Sequence, residues 1–187
     1  IDKAIHISRT GRPGPCLIDI PDDIQRTEVL LKNQKIYKIK KKSKKLDKLN
    51  TSFKKAVNLI KNSKKPIFII GSGTKISDTV KDIKKIIKKF QIPYSPTWAT
   101  FDCFSGNDKL NIGSFGVYAS RYGNFSIHNS DLLVILGSRL SAPLTGGNPK
   151  YFAPNAKKIQ IDIDQYELKE ENKIPINLKI NTNLKNF

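Results

Sequence analysis

The chain has 187 residues, 38% hydrophobic and 27% charged, which is enough for one domain with a core and an additional segment. Its formal net charge is +18, but only five of its 34 basic residues are arginine, whereas nucleic-acid grooves interleave arginine and aromatic residues with lysine. The composition therefore argues against nucleic-acid binding, and the lack of an apolar run of about 18 residues argues against a membrane span.

Two further features of the composition concern the setting of the protein. Cys16 and Cys103 are too few for a disulfide framework and wrongly spaced for a zinc site, so we expect a reducing, cytoplasmic environment. Because Cys16 falls in a predicted strand, we expect its thiol to lie in the core. The chain begins at Ile1 and contains no methionine, so we expect it to be an internal segment of a longer polypeptide.

The first fifty residues fall into two parts. Residues 1–10 predict the end of a helix, which the glycines and prolines of residues 11–15 must break. Residues 16–20, which are apolar except for Asp19, then predict a short buried strand, stopped by Pro21. From residue 26 to residue 50 lysine dominates and apolar residues become sparse, which predicts a solvated linker.

From residue 51 onwards, apolar strands alternate with amphipathic helices. Thr51 or Ser52 is placed to cap the first helix, and a second helix has apolar residues about every 3.6 positions, at Ile76, Val80, Ile83, Ile87 and Phe90. Further helices are predicted near residues 120–128 and 166–171, with strands at 67–70, 92–95, 131–136, 158–164 and 175–180. This pattern predicts an α/β, Rossmann-like parallel sheet of about six strands with helices on both faces.

Glycine and polar residues cluster where the predicted strands end. They are Gly71, Gly73, Thr97, Gly137, Arg139, Asp162 and Asp164. In parallel sheets ligands bind beyond the carboxyl ends of the strands, where glycines let a backbone approach a phosphate and an aspartate can accept hydrogen bonds from ribose. Glycines also occur there simply because tight turns need them, and Ile76 stands where the dinucleotide fingerprint has its third glycine. The residues alone leave both interpretations open.

The sequence contains no recognisable catalytic set. Of the two histidines, His6 lies in the first segment, and His128 is placed to end a helix. Asp162 and Asp164 are expected on one face of a strand, but no third metal ligand converges on them. We therefore expect a binding or scaffold domain, with neither a catalytic residue nor a metal site of its own.

Several segments resemble the acetolactate synthase type of thiamine-diphosphate-dependent enzymes. Residues 11–25, Gly-Arg-Pro-Gly-Pro-Cys-Leu-Ile-Asp-Ile-Pro-Asp-Asp-Ile-Gln, resemble the close of the family's first, pyrimidine-binding domain. Its central domain is resembled by Gly-Ser-Gly at 71–73, Gly-Ser-Phe-Gly at 113–116, Leu-Gly-Ser-Arg-Leu at 136–140 and Ile-Asp-Ile-Asp at 161–164. The resemblance implies the end of one domain at 1–25, a lysine-rich linker at 26–50, and a central Rossmann-like domain at 51–187.

The resemblance also implies a function. The full-length enzyme would be a homo-oligomeric transferase or lyase that acts on a 2-keto acid, with thiamine diphosphate and Mg²⁺ held by domains outside this chain. The central domain holds FAD in acetolactate synthase, a flavoprotein, and ADP or nothing in other relatives. The family's cofactor contacts correspond here to Arg12, Gly113, Ser114, Phe115, Gly116, Gly137, Arg139, Asp162 and Asp164. Gly71 and Gly73 are further candidate cofactor-binding residues, from their place at a strand end.

Two departures from the family pattern bear on FAD, and two other functions remain as alternatives. Residues 113–116 replace the usual Gly-Met-His-Gly, and residues 140–143, Leu-Ser-Ala-Pro, replace Phe-Asp-Asp-Arg and so remove an arginine.

The first alternative function is an NAD-dependent enzyme on a sheet of the sirtuin or deoxyhypusine synthase type, against which the missing catalytic histidine and zinc cysteines argue. The second is a basic nucleic-acid-binding module.

Overall fold

The computed structural model describes residues 1–29, 37–39, 46–169 and 174–187. The chain divides into two compact units, Ile1–Lys44 and Lys45–Phe187. The division falls inside the predicted linker at 26–50, of which residues 30–36 and 40–45 lie outside the described part.

The first unit contains the helices α1 (Asp2–Arg9) and α2 (Asp22–Gln25). The strand predicted at residues 16–20 is wrong, because these residues have no regular secondary structure and Leu17 is 95% exposed. Cys16 is likewise exposed and not a core thiol. A strand needs a hydrogen-bonded neighbour, and the described residues of this unit include none.

The second unit alternates strands and helices. Its strands are β1 (Pro66–Ile70), β2 (Tyr94–Pro96), β3 (Leu132–Leu136), β4 (Lys157–Asp162) and β5 (Leu178–Asn181). Its α-helices are α3 (Leu46–Lys61), α4 (Gly73–Ile76), α5 (Val80–Phe90), α6 (Arg121–His128), α7 (Ala142–Thr145) and α8 (Gln165–Lys169), and 3-10 helices span Trp98–Cys103, Pro149–Tyr151 and Leu184–Asn186. Residues 170 and 171 of the predicted helix at 166–171 lie outside the described part.

The strands form one parallel sheet in the order β2-β1-β3-β4-β5. The α/β prediction is confirmed, with five strands in the described residues where about six were expected. One face is covered by α3 and α5 and buries Ala56, Phe68, Ile70, Ile83, Ile87, Val134, Leu136, Ile159 and Ile161. The other face buries Ile67, Ile69, Phe115, Ile127, Leu133, Ile135 and Phe152. Burial on both faces explains why these strands are apolar throughout.

The helix predicted through Ile76 and Phe90 is broken into α4 and α5. The hydroxyl of Ser77 donates to the carbonyl of Gly73 at 2.6 Å, and Asp78 takes a left-handed φ of 55°. Serine hydroxyls that bond nearby carbonyls compete with helical hydrogen bonds, so the helix stops and restarts at Val80. Ile76 and Phe90 are each 61% exposed and therefore lie outside the buried stripe.

The boundaries of two other helices test the capping predictions. α3 begins at Leu46, so Thr51 and Ser52 lie inside the helix. The prediction that one of them caps it is therefore wrong. α6 agrees with the prediction for residues 120–128, because the Ser120 side chain caps it by accepting from the Gly123 amide and His128 is its last residue. Residues 46–50, the last five of the predicted linker, are thus part of α3.

Candidate functional site

The candidate site lies at the carboxyl edge of the sheet, where all five parallel strands end together. The strand order reverses between β1 and β3, which is the position where open α/β sheets have their ligand crevice. Gly71 and Gly73 follow β1, Gly137 and Arg139 follow β3, and Asp162 ends β4. The structure therefore brings these five predicted residues to one edge.

The glycines after β1 and β3 are required by close packing between the two loops. A Cβ on Gly71 would lie 2.4 Å from the carbonyl oxygen of Gly137 and from Cβ of Ser138, and one on Gly73 would lie 2.7 Å from Cα of Gly137. The amides of Gly71 and Gly73 donate to the carbonyls of Leu136 and Gly137, both at 2.9 Å. These amides already have partners within the chain, so a phosphate would have to displace them.

The loop 113–116 is also stabilised from within. Gly113 and Gly116 have φ values of 71° and 115°, a region that favours glycine. The Gly113 amide donates to Oδ1 of Asn111 at 2.9 Å, and the Gly116 amide donates to Oδ1 of Asn124 at 2.7 Å. Phe115 is only 1% exposed, so its side chain serves the core and only its backbone lies in the loop.

The start of α6 is seated directly on this loop. A Cβ on Gly123 would lie 2.0 Å from the carbonyl oxygen of Ser114, and one on Gly113 would lie 2.8 Å from the ring of Tyr122. Ser114 is half-buried. The loop is consequently held in one shape by α6.

Asp162 and Asp164 form a turn and do not share a strand face, contrary to the prediction, because β4 ends at Asp162. Asp162 is 8% exposed, and its Oδ1 accepts from the Asp164 amide at 2.8 Å. Oδ1 of Asp164 in turn accepts from the Tyr166 amide at 2.9 Å, at the start of α8. Each carboxylate thus satisfies a backbone amide that the end of the strand leaves unpaired.

A cleft of about 150 Å³ opens beside Arg139. Gln160 of β4 and Lys179 of β5 are paired in register, so their side chains lie on the same face of the sheet. Nη1 of Arg139 lies 3.4 Å from Oε1 of Glu167, which is on α8. The cleft is lined by Arg139, Leu140, Ser141, Gln160, Glu167, Ile174, Ile176 and Lys179.

Most of these cleft residues were not predicted from the sequence. A signal exists nonetheless, since Lys158, Gln160 and Asp162 alternate with apolar residues in a strand that is buried on both faces. Gln160 is 4% exposed and its Nε2 donates to the carbonyl of Ser138 at 3.2 Å, which ties β4 to the loop carrying Arg139. Of these three polar side chains, Gln160 is the one that lines the cleft.

Lys158 is the most buried cation among the described residues, at 2% exposure. Its Nζ donates to the carbonyls of Ala153 and Ala156, at 2.7 and 3.0 Å. Burial lowers the pKa of the Lys158 ammonium group. These contacts assign Lys158 to holding the turn before β4.

Two other features lie away from this cleft. A second cleft, of about 260 Å³, is lined by Gly116, Val117, Asn124, Ile127, His128, Leu144, Thr145, Gly146, Tyr151, Phe152 and Ala153. Lys75 of α4 pairs with Asp102 at 2.8 Å, and this hydrogen bond raises the pKa of Lys75 and lowers that of Asp102. Both partners are exposed, so the pair adds little to stability.

Arg12 belongs to the first unit, where it is exposed. Within the described residues, no three histidine, cysteine, aspartate or glutamate side chains converge as a metal site would require. The helices in that part of the chain are all too short or too polar to cross a bilayer.

A parallel sheet whose order reverses between β1 and β3, with glycine loops after both strands, defines a Rossmann-like α/β domain. The chain belongs to the thiamine pyrophosphate enzyme family, because the model of that family's central domain matches residues 53–187. The resemblance found in the sequence is thereby confirmed, and the comparisons favour neither alternative function.

Relatives of the chain are acetolactate synthases. It is 35% identical over 172 residues to a probable acetolactate synthase large subunit of Methanococcus aeolicus, covering 89% of this chain and 28% of that protein. It is 33% identical over 170 residues to the chloroplastic acetolactate synthase 1 of Nicotiana tabacum, covering 90% of this chain and 25% of that protein. It is 32% identical over 177 residues to the acetolactate synthase large subunit of Porphyra purpurea, covering 94% of this chain and 30% of that protein. The chain thus spans between a quarter and a third of the length of these relatives.

Proposed function

We propose that this chain acts as the central domain of a larger thiamine-diphosphate-dependent carboligase or decarboxylase that uses a 2-keto acid. The family match over residues 53–187 carries the proposal, and the relatives named as acetolactate synthases support it. When bound, thiamine diphosphate supplies the carbanion chemistry of such reactions, and we assign it and Mg²⁺ to other domains of the enzyme. We also propose that this enzyme is a cytoplasmic homo-oligomer.

The first unit supports a multidomain arrangement. Leu17, Ile18, Ile20 and Ile24 are between 48% and 95% exposed, and α1 has no buried residue. Large apolar side chains that are exposed so close together in the sequence are typical of a segment that another part of a protein covers. We therefore propose that residues 1–25 complete a preceding pyrimidine-binding domain, whose apolar core would cover these side chains.

For the second unit we propose binding of an adenine nucleotide, FAD or ADP, at the carboxyl edge. The glycine amides at positions 71, 73, 113 and 116 donate within the chain, so side chains have to hold the phosphates. Arg139 and Lys179 supply two cations and Ser141 a hydroxyl around one cleft. These donors suit a diphosphate.

The size of the cleft limits how much of the ligand it encloses. Its 150 Å³ is below the roughly 300–1,000 Å³ of pockets that surround a whole small molecule. It therefore suits the phosphate portion, while a ligand as long as FAD would have to lie along the open edge past the loop 113–116 and the turn of Asp162 and Asp164.

Nucleotide binding is tested by equilibrium dialysis with FAD and with ADP. We expect Arg139→Gln to weaken binding by about tenfold, since it removes one charge-assisted contact. Arg26→Gln is the matched control, because Arg26 pairs with Asp22 on the surface of the first unit. Equal affinity of the Arg139 variant and the control would refute the site, and no binding of either nucleotide would refute the nucleotide proposal.

The enzyme function is tested on the full-length protein. It is expected to release CO2 from pyruvate, as a representative 2-keto acid, only in the presence of thiamine diphosphate and Mg²⁺. Failure to turn over pyruvate and a panel of other 2-keto acids would contradict the proposal, as would release of CO2 without added or bound thiamine diphosphate.

A further inference from the structure

The cleft beside Arg139 contains an acidic side chain where an anionic ligand is expected. Glu167 lies on α8 with only 17% of its side chain exposed, and its Oε1 is 3.4 Å from Nη1 of Arg139. The Arg139 side chain is 55% exposed. Both side chains line the same cleft, so a ligand that reaches Arg139 also meets this carboxylate.

The geometry of this ion pair is that of a weak, replaceable contact. A strong arginine–carboxylate pair has two parallel hydrogen bonds shorter than about 2.9 Å, whereas the one hydrogen bond between Arg139 and Glu167 is 3.4 Å long. Partly exposed pairs of this kind contribute little to stability. A phosphate has the oxygens to form the shorter, bidentate contact that the Glu167 carboxylate does not make.

We propose that Glu167 occupies Arg139 when no ligand is bound and that an anionic ligand must displace it. The pair then selects for ligand charge, because a dianionic diphosphate offsets the repulsion from Glu167 by its stronger attraction to Arg139 and Lys179, and an uncharged ligand does not. This inference rests on the proposed function only in placing an anion in the cleft.

The cleft residues make this selection sensitive to a single charge. Among the described residues that line the cleft, the charged side chains are those of Arg139, Lys179 and Glu167. With Glu167 ionised the three sum to one positive charge, and with a neutral residue at 167 they sum to two. Replacing Glu167 by glutamine keeps the size of the side chain while removing both the competitor for Arg139 and a negative charge that repels the ligand.

The experiment is a calorimetric titration with inorganic diphosphate, which tests the anion site without requiring a nucleotide. Glu167→Gln is expected to bind diphosphate about 3- to 10-fold more tightly than the wild-type chain, and the gain should shrink as salt screens the charges. Asp82→Asn makes the same charge change on α5, which packs on the opposite face, and is expected to leave the affinity unchanged.

A double-mutant cycle separates competition for Arg139 from a general change of charge. In an Arg139→Gln background the additional Glu167→Gln change should give less than half of the gain in binding seen with Arg139 present. The proposal is overturned if Glu167→Gln binds diphosphate no better than wild type, if neither binds it at millimolar concentration, or if the gain is the same in both backgrounds. Failure of FAD and ADP to bind, with the diphosphate result as expected, would instead refute only the nucleotide proposal.

Discussion

Asp131 joins the loop before β1 to the start of β3, and its removal gives a quantitative test of the fold. Its Oδ2 accepts from the Lys64 amide at 2.7 Å, and its Oδ1 accepts from the Lys65 amide at 2.9 Å and from the Ser63 hydroxyl. Hydrogen bonds to a charged group contribute about 1.5–3 kcal/mol each, and they are not additive. Because Lys64 and Lys65 are exposed, water can replace part of this loss.

We expect Asp131→Ala to lower the free energy of unfolding of the second unit by about 2–3 kcal/mol, which corresponds to a fall in Tm of roughly 5–10 °C. Urea denaturation followed by tryptophan fluorescence measures this loss directly, since the single tryptophan, Trp98, lies in the second unit. Asp82→Asn is the control, because Asp82 makes only an exposed pair with Lys85 and its loss should cost less than about 0.5 kcal/mol.

The pH dependence of this effect has a definite sign. Partial burial by itself would raise the pKa of Asp131, but the hydrogen bonds from Ser63, Lys64 and Lys65 outweigh it and lower that pKa. A carboxyl group with a lowered folded-state pKa stabilises the protein above its unfolded pKa of about 3.9, and this stabilisation is lost as the pH falls through the folded value. The stability difference between wild type and Asp131→Asn should therefore shrink below about pH 4. A difference that persists unchanged in acid, or an Asp131→Ala loss below about 0.5 kcal/mol, would refute this account.

Two further substitutions test other parts of the second unit by the same urea method. Gly71→Ala should destabilise it by more than about 2 kcal/mol, because the new Cβ would lie 2.4 Å from a backbone oxygen. Gly106→Ala is the control and should be nearly neutral, because its new Cβ would have no atom within 4 Å. Similar losses of stability for the two variants would contradict the close packing of the loops. Lys158→Met should cost about 1–3 kcal/mol because two carbonyls lose their ammonium donor, and Lys157→Met on the exposed neighbour should cost little; the reverse order would remove the assigned role of Lys158.

The positions of the central strands were predictable, because nearly every side chain in them is buried. Residues 67–70 and 132–136 are apolar without interruption because both faces of a central parallel strand are covered, and this signal survives in the sequence. The helix at residues 121–128 was predictable because a serine cap and a terminal histidine are local features. The glycines at the strand ends were likewise recognised, although their physical reason was left open.

The same local patterns misled where a distant partner decides the outcome. Residues 16–20 have a strand's composition, but a strand forms only against a neighbour, and Leu17 remains exposed. Phe115 was expected in a cofactor loop, yet its side chain lies in the core beside Phe152, with ring centroids 5.9 Å apart. Neither result follows from residues nearby in the sequence.

The sequence by itself determined the α/β class, the position of most strands and the family, because these depend on apolar periodicity and on short motifs such as Gly-Arg-Pro-Gly-Pro at residues 11–15. Only the tertiary structure decided that glycine is needed at positions 71 and 73, where the backbone packs closely against Gly137. It also decided that Arg139 contacts Glu167, which lies 28 residues later in the sequence. The physical reason is that close packing and ion pairing depend on distances in space, and those distances are set when the strands assemble in the order β2-β1-β3-β4-β5.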